Sequence, residues 1–192
     1  QVTGSCYLLE THDKQKILLE CGMQQGIENG SERSNSFTFD PKKLDAVVIS
    51  HAHIDHSGML PRLVSLGYRG PIYTTEATSE LLEIMLLDAA NIHEKDTEWE
   101  NRGRARKGKP PVKPLYISAD AERALTQRRP VPYEQSTEIL KGVHVRFYDA
   151  GHIIGSAIVE LTFNEPNQSR RRLVFSGDLG NSCTPLMRAP TQ

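Results

Sequence analysis

Three imidazoles and a carboxylate stand within one short stretch, His51-Ala52-His53-Ile54-Asp55-His56, just after the apolar run Ala46-Val47-Val48-Ile49. Neutral imidazole and carboxylate are the side chains that suit zinc and similar divalent ions. On an extended loop, alternate residues point to opposite sides, so one cluster of this kind can serve two metals. His51 and His53 would then face one ion, with Asp55 and His56 facing a neighbour. The bland alternative is a polar loop of solvated histidines, which gives no reason for such a density of nitrogen ligands.

Those residues need elements to hold them. Asp45 to Ser50 is predicted as a buried strand that delivers the cluster to a sheet edge. Later in the chain, Gly151-His152 lies just before the strand-like run Ser156 to Phe163, and Gly177-Asp178 lies just after the run Arg172 to Phe175. The turn Asn164-Glu165-Pro166-Asn167-Gln168 between these runs makes them an antiparallel hairpin. The residue before its first strand and the residue after its second then sit at one end, so His152 and Asp178 are neighbours. Chemistry is usually found on such loops, held at strand ends by a rigid sheet. Taken singly, His152 is an ordinary polar residue and Asp178 an ordinary turn residue. Their shared hairpin end makes both candidates.

The remaining pattern mixes strands and helices. Val2 to Glu10 and Lys16 to Glu20 read as strands around a polar turn, and residues 22–39 as a long loop. One helical turn is expected at Pro41 to Leu44. A helix capped near Ser57 is expected to run to about Gly67, aiming its N-terminal amides at the site. Short strands follow at Pro71 to Thr74 and Val131 to Tyr133. Residues 75–98 carry the longest helical pattern, and a short helix opens at Ser118 as its N-cap. Thr137 to Leu140 and Val143 to Tyr148 complete the strands. Between the two later helices, Arg102, Arg104, Arg106, Lys107 and Lys109 lie among glycines and prolines and read as an exposed basic loop. That loop is either a solvated surface or a set of phosphate contacts. The class is α/β, or α+β, with sheets covered by helices.

The chain has 192 residues, of which 38% are hydrophobic and 24% charged, with a formal net charge of -1. That suits one globular domain with a sizeable core rather than a disordered chain. No apolar stretch is long enough to span a bilayer, and bulk charge does not announce a polyanion partner. Cys6, Cys21 and Cys183 are widely spaced and form no Cys-x-x-Cys pair. A reducing compartment and buried, apolar roles are expected for all three. The start at Gln1 and the Pro-containing end suggest a piece of a longer polypeptide.

The motifs His51-Ala52-His53-Ile54-Asp55-His56, Gly151-His152 and Ser176-Gly177-Asp178-Leu179-Gly180 together resemble the metallo-β-lactamase fold. Val2-Thr3-Gly4-Ser5-Cys6, the run Asp149 to Ala157 and the long helix with its basic sequel are similar to the β-CASP branch of RNA-processing nucleases. The resemblance implies an αβ/βα sandwich, incomplete on its C-terminal side. Residues 1–182 would form the N-terminal part of that domain, and 183–192 the start of a linker to a missing β-CASP domain. It also implies two zinc ions, one held by His51, His53 and His152, the other by Asp55 and His56, with Asp178 bridging. The second site would lack a later histidine ligand. One departure stands out: the family usually has Asp at the end of the second strand, where this chain has Glu20. Glu20 is either a supporting residue or a solvated strand-end carboxylate.

The implied activity is a zinc-dependent phosphodiesterase, most simply a ribonuclease hydrolysing single-stranded RNA with a metal-bridging hydroxide that Asp55 ligates and orients. In the isolated chain that activity should be weak or missing. Single-stranded RNA would be the partner, contacted by Arg102, Arg104, Arg106 and Lys107. No membrane is expected, a homodimer is allowed, and the location would be cytoplasmic, or nuclear in a eukaryote. Two readings compete: another hydrolase of this fold, such as a glyoxalase II-type thioesterase, and a non-catalytic RNA-processing scaffold. The basic segment speaks against the thioesterase. The presence of all six ligand positions speaks against the scaffold.

Overall fold

The computed structural model describes residues 4–24, 36–164, 169–181 and 187–191. Two sheets lie face to face. The first has five strands in the order β1 (Tyr7–Glu10), β2 (Lys16–Leu19), β3 (Ala46–Val48), β4 (Ile72–Thr74) and β5 (Arg128–Pro130). β1 and β2 are antiparallel and the other neighbours parallel. The second is an antiparallel meander of β6 (Thr137–Leu140), β7 (Val143–Asp149), β8 (Ala157–Asn164) and β9 (Arg170–Phe175). The helices are α1 (Ile54–Ser57), α2 (Leu60–Ser65), α3 (Glu76–Arg106) and α4 (Ser118–Thr126).

Side-chain alternation explains the layering. On β2, Ile17 and Leu19 face the second sheet while Leu18 faces the helices. Val47 and Val48 of β3 divide the same way, so these central strands are apolar on both faces, as parallel strands buried on both sides must be. Val145, Phe147, Val159 and Leu161 complete the core between the sheets. On the other face of the first sheet, Leu60, Leu63 and Val64 of α2 pack with Leu82, Leu86 and Ala90 of α3 and Ala121 and Ala124 of α4. The three α3 residues recur every fourth position and form one narrow stripe. The expected mixed class and sandwich are observed, with the described helices all gathered on the first sheet's outer face.

Several expected elements differ. The first two strands begin or end later and earlier than the pattern suggests, at Tyr7 and Leu19. Residues 2 and 3, Cys183, all of residues 165–168 and most of the 22–39 loop lie outside the described residues. The strand expected at Val131 to Tyr133 is in fact β5, three residues earlier, where Arg128–Pro130 pairs in parallel with β4. Two arginines and a proline carry no apolar signal, and edge position rather than propensity makes this a strand. The last two strands match expectation closely, and their antiparallel register runs from Val159–Phe175 to Asn164–Arg170. The N-cap of α4 is Ile117 rather than Ser118, and its backbone N–H is accepted by Asp120 Oδ2 at 3.1 Å. Cys6 is exposed, not buried, whereas Cys21 is buried; both are free thiols. The basic segment is only partly a loop: α3 continues to Arg106, so Arg102, Arg104 and Arg106 are helical. No helix among the described residues is long and apolar enough to cross a membrane.

Candidate metal centre

The helix expected from Ser57 to Gly67 is two helices, and the break sets the site. His53 is the N-cap of α1, with φ -58° and ψ 145°. Asp55 and His56 therefore sit on a helical turn, not on an extended loop. Their separation from His51 and His53 comes from this change of backbone rather than from strand alternation. α1 stops after one turn because its polar groups are taken by other segments. Asp55 O accepts from Ser5 N at 2.8 Å, His56 O from Cys21 N at 2.7 Å, and Cys21 O from Met59 N at 2.8 Å. The chain at Gly22 passes so close that a Cβ there would meet Asp55 O at 1.7 Å. So short a helix makes no N-terminal anion site, and the amide role expected for a longer one is withdrawn.

The histidines converge. His51 Nε2 lies 3.2 Å from His53 Nδ1, which lies 3.2 Å from His152 Nε2. Ligands about 2.05 Å from a tetrahedral ion stand roughly 3.3 Å apart, so these spacings fit donors that could share one metal ion. One ring nitrogen cannot donate to two partners at once, which makes mutual hydrogen bonding a poor account of the triad. Asp178 reaches the same point: its Oδ2 is 3.6 Å from His152 Nε2 and 4.0 Å from His51 Nε2. Its other oxygen, Oδ1, is 3.5 Å from His56 Nε2, and Asp55 Oδ2 is 3.8 Å from the same nitrogen. Ligand atoms of His51, His53, His152 and Asp178 all lie within 4.8 Å of one another.

Each side chain is held from behind. His51 is fully buried, with Nδ1 2.9 Å from Ser50 Oγ. His56 Nδ1 is 2.8 Å from Glu20 Oε2, and Ser50 N donates to Glu20 Oε1 at 2.7 Å. Glu20 is 0% exposed, which overturns the solvated strand-end reading. It also groups with His51 and His56 within ligand range, but both its oxygens are already engaged. We assign it to orienting His56, not to metal contact. A carboxylate behind a histidine fixes the ring's tautomer and direction in this way at metal sites. At the other edge, Ser156 Oγ accepts from His152 N at 3.0 Å, and Ala157 N donates to Ser50 O at 2.9 Å. These bonds tie the start of β8 to the end of β3. Gly151 and Gly177 both have positive φ, +64° and +56°, so the hairpin end turns where a Cβ would strain it.

Electrostatics match the geometry. Burial, then the neighbouring His56, His53 and His152, push the His51 imidazole down to about 3. Burial and His152 lower His53 as well. Both rings stay neutral, as ligands must. Burial disfavours charge on His56, but the hydrogen bond and charge of Glu20 outweigh it and raise its pKa. Burial also raises Glu20, against the pull of His56 and the Ser50 amide. Both shifts describe one fact: the pair keeps a proton between the ring and the carboxylate. The rim is open, with Asp178 and Asp55 side chains 45% and 35% exposed.

All six motif residues thus meet at one sandwich edge, with Glu20 beneath them. Sequence reasoning missed Ser50 and Ser156. A serine beside a strand end carries no signal of its own. The basic residues are not gathered to the site. The start of α3 is bound to the His152 loop, since Thr75 Oγ1 and Thr78 Oγ1 donate to Gly155 O at 2.6 and 2.8 Å. Arg102 is 24 residues further along that helix, about 36 Å away at 1.5 Å per residue.

A two-sheet sandwich with a histidine and aspartate cluster at one edge defines a class of metallohydrolase folds. Residues 8–169 match the metallo-β-lactamase superfamily domain, and the chain belongs to that family. It is 40% identical over 191 residues to a ribonuclease from Thermus thermophilus, a match covering 100% of this chain and 38% of that protein. A transcription termination factor, FttA, from Cenarchaeum symbiosum is 36% identical over 182 residues, covering 93% of this chain and 25% of that one. The chain therefore spans well under half the length of these relatives. Among solved structures, a metallo-β-lactamase from Cronobacter sakazakii superposes with a TM-score of 0.53 at 18% identity, over 96% of this chain and 60% of that one. That likeness concerns the fold.

Proposed function

We propose that this chain carries the metal centre of a phosphodiesterase of the β-CASP branch that hydrolyses single-stranded RNA. One observation carries the reading. The two oxygens of Asp178 face two different histidine groups, His51 and His152 on one side and His56 on the other. That is the placement a bridging carboxylate needs. His51, His53, His152 and Asp178 would hold one zinc ion, and Asp55, His56 and Asp178 a second with an open position. A pair of such ions supplies a hydroxide at neutral pH and neutralises charge on a phosphodiester. The chain's own groups do the rest. Asp55, at the open rim beside His56, would both help hold the second ion and orient the attacking oxygen. Glu20 and Ser50 fix the two buried rings so that no reorganisation is needed on binding.

The relatives named as ribonuclease and termination factor support RNA over a thioester as substrate. Presence of every donor in the six-residue set supports an enzyme over a scaffold. The test is metal content by atomic spectroscopy, together with turnover of a single-stranded RNA and of a thioester. His53→Ala and Asp178→Ala should each lose zinc and RNA cleavage together. Zinc retained in both variants would overturn the assignment, as would thioester turnover exceeding RNA turnover.

A further inference from the structure

The far end of α3 holds a feature that the metal centre does not use. Trp99 is 75% exposed and is the only tryptophan in the chain. Arg102 and Gly103 lie three and four residues beyond it and Arg106 seven, so all four share one helix face. Together with Lys107 and Lys109 they line a cleft of about 360 Å³. Nothing stands within 4 Å of a Cβ built at Gly103, so no packing demands glycine there. Glycine inside a helix costs about 1 kcal/mol relative to alanine. What its missing side chain does is leave flat, open space beside the indole ring.

The surrounding backbone is built rather than loose. Lys107 caps the helix and Gly108, at φ +63°, follows it. Gly108 N donates to Ala105 O at 3.1 Å and Lys109 N to Arg104 O at 3.0 Å, the paired bonds of a Schellman motif. Asn101 clasps the returning chain, accepting from Val112 N at 2.8 Å and donating to Val112 O at 2.9 Å. Arg104 is spent on Pro110 O at 2.7 Å and on Glu100 at 3.4 Å, which removes the one acidic group lining the cleft. Among the described residues, Arg102, Arg106, Lys107 and Lys109 have no ion-pair partner. Cations near a helix C-terminus complement its dipole, which accounts for some of this charge. The dipole does not account for an exposed indole or for Gly103.

We propose that Trp99, with Arg102 and Arg106, forms a second binding site for single-stranded RNA, in which a base stacks on the indole and the guanidinium groups hold the flanking phosphates. Aromatic platforms interleaved with cations bind single strands in this way without reading sequence. The inference rests on RNA being the substrate. It adds that the strand is held about 36 Å along α3 from Thr78, the residue that ties this helix to the His152 loop. The site therefore serves to retain a long substrate rather than to cleave it.

Because Trp99 is the only tryptophan, its emission reports the site directly. The chain is titrated with a short single-stranded oligouridylate, with a duplex RNA of equal length, and with polyglutamate, chelator being present throughout to prevent cleavage. The single strand should quench Trp99. Arg102→Ala with Arg106→Ala should weaken its binding about tenfold. The same double variant should reduce the slope of log affinity against log salt by about 1.4, from two phosphate contacts at 0.7 each. Trp99→Ala should weaken binding by a similar factor, measured by polarisation of a labelled strand, while Trp99→Phe should retain most of it. No quenching by the single strand overturns the proposal. Equal quenching by the duplex removes stacking, and stronger quenching by polyglutamate identifies an acidic protein surface instead; each result also overturns it. Loss of quenching with intact cleavage by the full-length protein sinks this site alone, whereas quenching without any metal-dependent cleavage by the full-length protein sinks the enzymatic reading alone.

Discussion

Glu20 shows how much one methylene and one environment decide. Its sequence position gave even standing to a supporting and a solvated role, because a strand-end carboxylate carries no mark of burial. In the fold both its oxygens are used, by Ser50 N and His56 Nδ1. Removing its charge while keeping its shape, Glu20→Gln, should lower metal affinity about tenfold, within the 10–100-fold range for such supporting partners. Competition against a zinc-chelating dye measures this; unchanged affinity would return Glu20 to a packing role. A pH dependence follows from the same pair. Glu20 raises the His56 pKa, so a proton on Nε2 would compete with a metal there more readily than at an ordinary histidine. His51 is pushed down to about 3 and stays neutral throughout the mildly acid range. Lowering the pH from 8 should therefore weaken metal binding at His56 before it weakens binding at His51. Simultaneous loss of both ions, followed by atomic spectroscopy, would contradict this order.

At the scale of elements, the site was legible where chemistry-bearing residues cluster and obscure where backbone partners decide. The hairpin end of His152 and Asp178 could be placed from turn residues alone, because antiparallel pairing fixes which termini meet. The end of α1 at Ser57 could not, since it depends on Ser5 and Cys21 claiming the carbonyls that a longer helix would have used. The basic segment was misread for a related reason. Gly103 looks like a helix breaker, yet α3 runs through it, since a single glycine costs only about 1 kcal/mol and the preceding turns are already nucleated. The stitching at α1 yields a direct test. Gly22→Ala would drive a Cβ into Asp55 O, with backbone on both sides and no side chain able to yield. It should destabilise the chain by about 3 kcal/mol or more. The urea midpoint would report that loss, and an unchanged midpoint would mean that the 21–23 segment does not pack on α1 as described.

Over the whole molecule, the two layers do not close evenly. Among the described residues, β1 and β9 pair on one side only, and they lie at corresponding edges, where Tyr7 and Phe175 rings meet at 5.5 Å. Around that contact Tyr7 is 49% exposed, Leu8 43% and Val174 60%. Scattered apolar residues are ordinary on a surface, but these are adjacent and flank an edge strand with free backbone groups. Arg170, Arg171 and Arg172 charge the beginning of β9, the usual protection against edge pairing. The end of β9, next to the metal centre, has no such charge. An unguarded apolar edge favours association with whatever can cover it, and in dilute solution that is a second copy of the chain. The 192-residue chain should thus self-associate as its concentration rises. Val174→Lys should shift sedimentation towards the monomer, because the added charge sits on the exposed face and disturbs no core contact. Sedimentation as a monomer at every concentration, or equal association by the Val174→Lys chain, would show that this edge is not the sticky surface. The metal centre supplies an internal control: its donors come from β3, α1 and the two hairpin ends within one chain, so zinc content should be the same in both forms.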